Sequence, residues 1–159
     1  MEMPIREATE NDITQLGIHH RKMFEEIWEK KGERIDNSIC EEIEKAYAQK
    51  LKQELIDGVC KAWVIENDNK IIASGAITIV SFVPTPNDLT SSVAYLHSMY
   101  TEEGYRNRSF ANLIIKKSIQ YCKEIGIKRV FLNASEAGRP IYEKVGFRPA
   151  PETMRLFIE

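Results

Sequence analysis

The 159-residue sequence predicts an α/β fold: a mixed, twisted central sheet of about six to seven strands with helices on both faces. Three observations predict it. Two amphipathic helical stretches near the start are followed by a pair of apolar, β-branched runs joined by a short polar turn. The second half then reads strand, basic turn, helix, strand, helix from Ala94 to Phe147. A helix between two strands forces them parallel, whereas the short turn makes the earlier pair antiparallel, so the sheet must be mixed.

In chain order, Met3 to Glu7 predicts a short first strand. Thr9 with Asp12 three residues on marks a helix start, and Leu16, His20, Met23, Phe24 and Ile27 mark one helical face ending at Gly32. Ser38-Ile39-Cys40-Glu41 has the capping-box pattern. Ile39, Ile43, Ala46, Tyr47 and Leu51 continue a second stripe, closed by Asp57-Gly58. Cys60–Glu66 and Ile71–Val83 predict a hairpin across Asn67-Asp68-Asn69, residues that tolerate left-handed backbone. The near-continuous apolar character of the return strand predicts burial on both faces. A loop at Pro84–Asp88 leads to a strand over Val93–Thr101. The next helix follows Phe110, Leu113, Ile114, Tyr121 and Ile125, with Lys117 at the edge of the stripe. It stops near Gly126. Arg129–Asn133 predicts another strand. Pro140 fits only the first turn of a last helix, Gly146 stops it, and Thr153–Ile158 predicts a final strand, free to pair across a homodimer. There is no internal repeat or linker, so residues 1–159 read as one domain.

Composition narrows the function. With 22 Lys+Arg against 24 Asp+Glu, the charge is nearly balanced, which argues against nonspecific nucleic-acid binding. Cys40, Cys60 and Cys122 are scattered and lack metal or redox spacing, as expected in a reducing compartment. The first residues show no basic region followed by an apolar run. The longest apolar run, from Ile71 to Val83, is too short for a bilayer. These features read as a cytoplasmic protein with no membrane partner. His19-His20 are adjacent and so point to different sides of a helix, not toward a shared zinc, and no metal site is expected. No Gly-x-Ser-x-Gly elbow is present, which disfavours a serine hydrolase. Glu25, Glu26, Glu29 and Glu33 read as a solvated acidic face.

Chemistry concentrates in the basic turn. Arg106-Asn107-Arg108-Ser109-Phe110-Ala111 opens a helix whose first N–H groups lack intrahelical partners and whose dipole adds partial positive charge there, a suitable place for phosphates. The same residues also read as an ordinary capped helix with two solvated arginines. A second segment lies one strand later, Tyr142-Glu143-Lys144-Val145-Gly146-Phe147, after Asn133-Ala134-Ser135-Glu136-Ala137-Gly138-Arg139-Pro140.

Together the two segments resemble the GNAT superfamily of acetyl-CoA-dependent N-acetyltransferases. The family's loop pattern, Gln/Arg-x-x-Gly-x-Gly/Ala, falls on Arg106 to Ala111. Its Tyr-Glu-Lys-x-Gly-Phe segment falls on Tyr142 to Phe147, at the family's usual separation. The first loop glycine is replaced by Ser109, which is small enough to let the backbone approach a pyrophosphate and can occupy helical φ. The resemblance covers about Ala94 to Phe147 well and the first half weakly.

The resemblance implies transfer of acetyl from acetyl-CoA to a primary amine by direct attack, on a GNAT-like fold. It also implies that the strands at 94–101 and 129–133 splay apart. The backbone of Met99, Tyr100 and Thr101 would then pair with pantetheine amides as an added strand would. The loop Arg106, Asn107, Arg108, Ser109, Phe110 and Ala111 would hold the pyrophosphate, with Arg106 or Arg108 adding charge-assisted bonds. Asn133, with Ser135 near it, would bond the pantetheine arm; Asn133 also reads as a strand-end cap. Tyr142 resembles the family's general acid, a phenol that stays protonated at neutral pH and donates to the departing thiolate. The base is open. No carboxylate lies between Val93 and Thr101, and His97 is the titratable candidate there, sharing a strand face with Tyr95 and Met99 by alternation. A packed histidine, with water or an already neutral amine replacing the base, is the other reading. A non-catalytic acyl-CoA-binding or sensing module fits the same motifs. More distantly, a nucleotide-binding protein fits the phosphate loop alone.

Overall fold

The computed structural model describes residues 3–159. Five strands form one sheet in the order β1 (Ile5–Glu7), β2 (Cys60–Asn67), β3 (Lys70–Ser81), β4 (Ser92–Thr101), β5 (Val130–Phe131). Neighbours are antiparallel except β4 and β5, which are parallel. The mixed sheet is therefore as expected, with five strands in place of six to seven. The shortfall lies at the C-terminus: Thr153–Ile158 has strand-like alternation but forms no strand, and Met154, Leu156, Phe157 and Ile158 are exposed. A β-propensity pattern needs a partner edge to become a strand, and none meets this segment.

Two helices cover one face of the sheet. Thr9 and Asp12 form the expected capping box, but it opens a 3-10 turn at Glu10–Asp12 that leads into α1 (Ile13–Lys31). Asp12 is also held by Arg6 from β1 at 2.7 Å, which keeps its carboxyl below the usual range and ties the helix entry to the sheet edge. The next helix, α2 (Asn37–Asp57), starts one residue before Ser38. Its cap is Asp36, whose carboxylate accepts from the Ser38 and Ile39 N–H groups; Ser38 does not serve. Leu16 from α1, Tyr47 and Leu51 from α2 pack with Ala62, Val64 and Ala76 of β2 and β3.

The other face carries α3 (Phe110–Glu124). Phe110, Ile114 and Cys122 pack against Trp63, Ile65, Ala73, Ile77 and Ala94. Lys117 is exposed beyond that stripe. β3 is buried on both faces, as its apolar run requires. The β2–β3 turn uses Asp68 and Asn69 in left-handed backbone (φ 50° and 61°). A short α4 (Arg139–Val145) begins with proline in its first turn and ends at Gly146, in line with the sequence.

The pairing of β3 with β4 slips between Ser74 and Ala76, and the extra residue on β4 is Ser98, with φ 58°. This is a β-bulge. It reverses the side-chain alternation: Tyr95 and His97 face α1 and α2, whereas Met99 turns to the α3 side and packs in that core. The expectation that Met99 shares a face with His97 is therefore wrong. Gly75 makes room opposite the bulge. A Cβ there would collide with Met99 Sδ and lie 2.8 Å from Ile114 Cγ2.

Candidate active site

Two features of the sheet build the site. First, β4 and β5 pair only at Ala94–Val130 and Tyr95–Phe131. From Leu96 to Thr101, β4 has no strand paired on that side among the described residues. Met99, Tyr100 and Thr101 lie on this unpaired stretch. An open edge of this kind offers backbone donors and acceptors to an extended polar ligand.

Second, the loop after β4 delivers an uncapped helix end. A 3-10 turn at Glu103–Tyr105 is pinned by the Asn67 amide donating to Tyr105 Oη at 3.0 Å. Asn107 and Ser109 follow in left-handed backbone (φ 62° and 65°). Ser109 thus does not take the helical φ expected from sequence; it keeps the conformation that glycine would adopt most readily. Its side chain makes no cap hydrogen bond, so the first N–H groups of α3 remain available to an anion. Asn107, Arg108 and Ser109 are exposed, while Phe110 is buried and fixes the helix start. Ala111 occupies the next position, inside the first turn.

The two arginines divide their roles. Arg106 Nε donates to Thr101 O at 2.8 Å and Nη2 to Glu26 Oε1 at 2.6 Å, so its charge is already paired. Glu26 also accepts from Tyr100 Oη at 3.3 Å, so it is a structural partner of the loop and not part of a solvated acidic face. Arg108 lies over the Tyr105 ring at 5.5 Å and has no ion pair among the described residues. Of the two, Arg108 is the free cation.

Across the opening stand Asn133, Ser135 and Tyr142. The Asn133 amide donates to Tyr95 Oη at 2.9 Å, a strap between the segment after β5 and β4. Ser135 Oγ accepts from Gly138 N–H at 3.1 Å and shapes the turn before α4. The Tyr142 ring packs edge-on to Phe147 at 5.9 Å. Burial, with a smaller contribution from nearby Tyr95, pushes its phenol up to about 12. It is a proton donor across the neutral range.

His97 is not a free base. Nε2 lies 2.8 Å from Thr78 Oγ1 and Nδ1 2.9 Å from Ser98 Oγ, so both ring nitrogens are engaged. Sequence reasoning missed the partner that joins them. His20, from α1, places Nδ1 2.8 Å from the same Ser98 Oγ and stacks on the Tyr47 ring at 3.9 Å. Burial pushes both histidines down to about 4, so each is neutral with one N–H. His19 faces elsewhere: it is fully buried, 2.7 Å from Ser74 Oγ, and Nε2 lies 3.2 Å from Glu102 Oε1 without the alignment of a hydrogen bond. No group of three or more His, Cys, Asp or Glu side chains that could hold a metal ion occurs among the described residues.

The site thus combines an open strand edge with an uncapped helix start entered through left-handed backbone on a mixed α/β sheet. The family model described as "Acetyltransferase (GNAT) family" matches residues 20–147, and the chain belongs to that family. Solved structures agree. A predicted acetyltransferase with acetyl-CoA from Clostridium acetobutylicum is 29% identical, with TM-score 0.86 over 98% of this chain and 96% of that one. A GCN5-related N-acetyltransferase from Ralstonia eutropha JMP134 is 22% identical, with TM-score 0.86 over 98% and 99%. The glucosamine-6-phosphate N-acetyltransferase of Arabidopsis thaliana is 18% identical, with TM-score 0.66 over 100% of each chain. The last two likenesses concern the fold. No helix among the described residues is long and apolar enough to cross a membrane.

Proposed function

We propose that the chain, acting as one domain, is an N-acetyltransferase that moves acetyl from acetyl-CoA to a primary amine in a ternary complex. The observation that carries this reading is the unpaired β4 edge from Leu96 to Thr101 leading into the uncapped start of α3. The Clostridium relative with acetyl-CoA supports it. Acetyl-CoA supplies an acetyl group already activated as a thioester. The chain's residues do the rest. Backbone groups of Met99, Tyr100 and Thr101 bond the pantetheine amides. The N–H groups from Asn107 to Ala111 bind the pyrophosphate, aided by Arg108. Arg106 holds the loop through Glu26 and Thr101. Asn133 and Ser135 border the pantetheine arm. Backbone N–H near Met99, re-aimed by the bulge, polarises the reacting carbonyl, and Tyr142 protonates the departing sulfur. The amine enters from the side lined by α1, α2 and the 82–92 loop. That loop is anchored by Asp88, whose Oδ2 accepts from Arg129 Nε at 2.6 Å. The reading places the protein in the cytoplasm, acting on a small-molecule or peptide amine without nucleic acid or membrane, and leaves residues 153–158 free to join a homodimer.

Binding is tested by thermal melting with calorimetry. A ligand present at a hundred times its Kd adds about 2.7 kcal/mol to the folded state. For a chain of this size that raises Tm by roughly 5–10 °C. Acetyl-CoA is expected to produce such a shift. No shift and no heat of binding at millimolar ligand would remove the cofactor assignment.

A further inference from the structure

We propose that His20 is the group that takes the proton from the acceptor amine, at its Nε2, and that a relay through Ser98, His97 and Thr78 carries charge to Glu54. The proposal rests on the acetyl-transfer reading above. Its basis is a run of five side chains from four elements, α1, α2, β3 and β4. His20 Nδ1 lies 2.8 Å from Ser98 Oγ, Ser98 Oγ 2.9 Å from His97 Nδ1, and His97 Nε2 2.8 Å from Thr78 Oγ1. Thr78 Oγ1 reaches Glu54 Oε2 at 3.5 Å, a longer final link.

The donor count orders the run. A neutral imidazole carries one N–H, and a hydroxyl has one hydrogen and two lone pairs. Glu54 can only accept when ionised, so Thr78 donates to it. Thr78 then accepts from His97 Nε2–H, which leaves His97 Nδ1 bare to accept from Ser98. Ser98 in turn accepts from His20 Nδ1–H. Tyr47, which also bonds Ser98, takes up the second lone pair of that hydroxyl; with this assignment every donor along the run points the same way and His20 Nε2 keeps its lone pair. That atom has no partner among the described residues and is not enclosed, whereas both nitrogens of His97 are used. His20 therefore has the open end. Tyr47 stacks on His20 and meets His97 edge-on at 5.9 Å; Tyr95 stacks on His97 from the other side at 5.7 Å. Phe24 and Tyr47 shield His20, and Lys50, paired with Glu54, is the cation nearest His97. Burial keeps both rings uncharged at neutral pH, which leaves them able to accept.

The step balances. The amine nitrogen bonds the acetyl carbon, the carbon–sulfur bond breaks, and the sulfur leaves with the electron pair and is protonated by Tyr142. The amine's proton goes to His20 Nε2. Shifting each hydrogen one link along the run places the excess proton on the Glu54 carboxylate; once product has left, the reverse shift releases a proton to solvent from His20 Nε2 and restores the starting tautomers, and solvent reprotonates Tyr142.

Two variants test this. His20→Gln is expected to lower kcat at neutral pH by about a hundred-fold, with acetyl-CoA affinity unchanged. The deficit should shrink in alkaline buffer, where solvent base takes over. Ser98→Gly suits the left-handed backbone and removes the bridging hydroxyl together with its Cβ. It should lower kcat by roughly ten-fold. It should also turn a curved dependence of rate on deuterium content, the mark of several moving protons, into a straight one. Wild-type turnover and pH dependence in His20→Gln would overturn the relay. So would equal losses at every pH accompanied by weakened acetyl-CoA binding, which would mean that His20 is structural. A wild-type chain that acetylates amines while either result holds leaves the acetyltransferase reading intact. A wild-type chain that acetylates none overturns both.

Discussion

Tyr142→Phe is expected to fold and bind acetyl-CoA as the parent does and to turn over roughly ten-fold to a thousand-fold more slowly. The ring stays, so its edge-on packing against Phe147 survives. Only the hydroxyl is lost. With its phenol held near 12 by burial, Tyr142 is protonated at any ordinary assay pH, so the loss should be the same from acid to alkaline buffer. The measurement is kcat under conditions where chemistry limits the rate. Unchanged turnover would take Tyr142 out of the mechanism and leave Ser135 or water as the donor.

Ser109→Leu is expected to abolish acetyl-CoA binding. Ser109 is exposed at the mouth of the loop in left-handed backbone, where a bulky side chain both strains the chain and fills the approach to the α3 amides. Ser109→Gly should bind at least as well and fold more stably by about 1 kcal/mol, because glycine takes φ 65° without the Cβ penalty. Calorimetry reads the binding and denaturant melts read the stability. A leucine variant that stays folded and binds normally would show that the loop does not hold phosphates.

The architecture was legible wherever local chemistry decided it. The polar turn at Asn67-Asp68-Asn69, the helix stops at Gly32 and Gly58, and the doubly buried β3 all follow from short-range patterns that tertiary packing did not override. The loop before α3 was legible as a basic turn before a helix. Its backbone was not: a serine in left-handed conformation has no signal in residue type. The bulge at Ser98 was hidden for the same reason, and it moved Met99 off the face of His97. The one available hint was Gly75 inside an apolar strand, a residue that often marks a bulge opposite. The Arg106–Glu26 pair and the His20–Ser98–His97 run join residues 78 to 80 positions apart or meet only through the fold, so no spacing rule reaches them. The C-terminal alternation was legible but misleading, since a strand also needs an edge to pair with.

The most direct test of the account is release of free CoA thiol from acetyl-CoA against a panel of primary amines spanning polyamines, amino acids, aminoglycosides and peptides, with the product weighed by mass spectrometry. The account predicts amine-dependent thiol release, with one acetyl group added to the amine for each thiol freed. Tight acetyl-CoA binding with no thiol release above the amine-free rate across the panel would contradict it, and would make the chain an acyl-CoA-binding module instead.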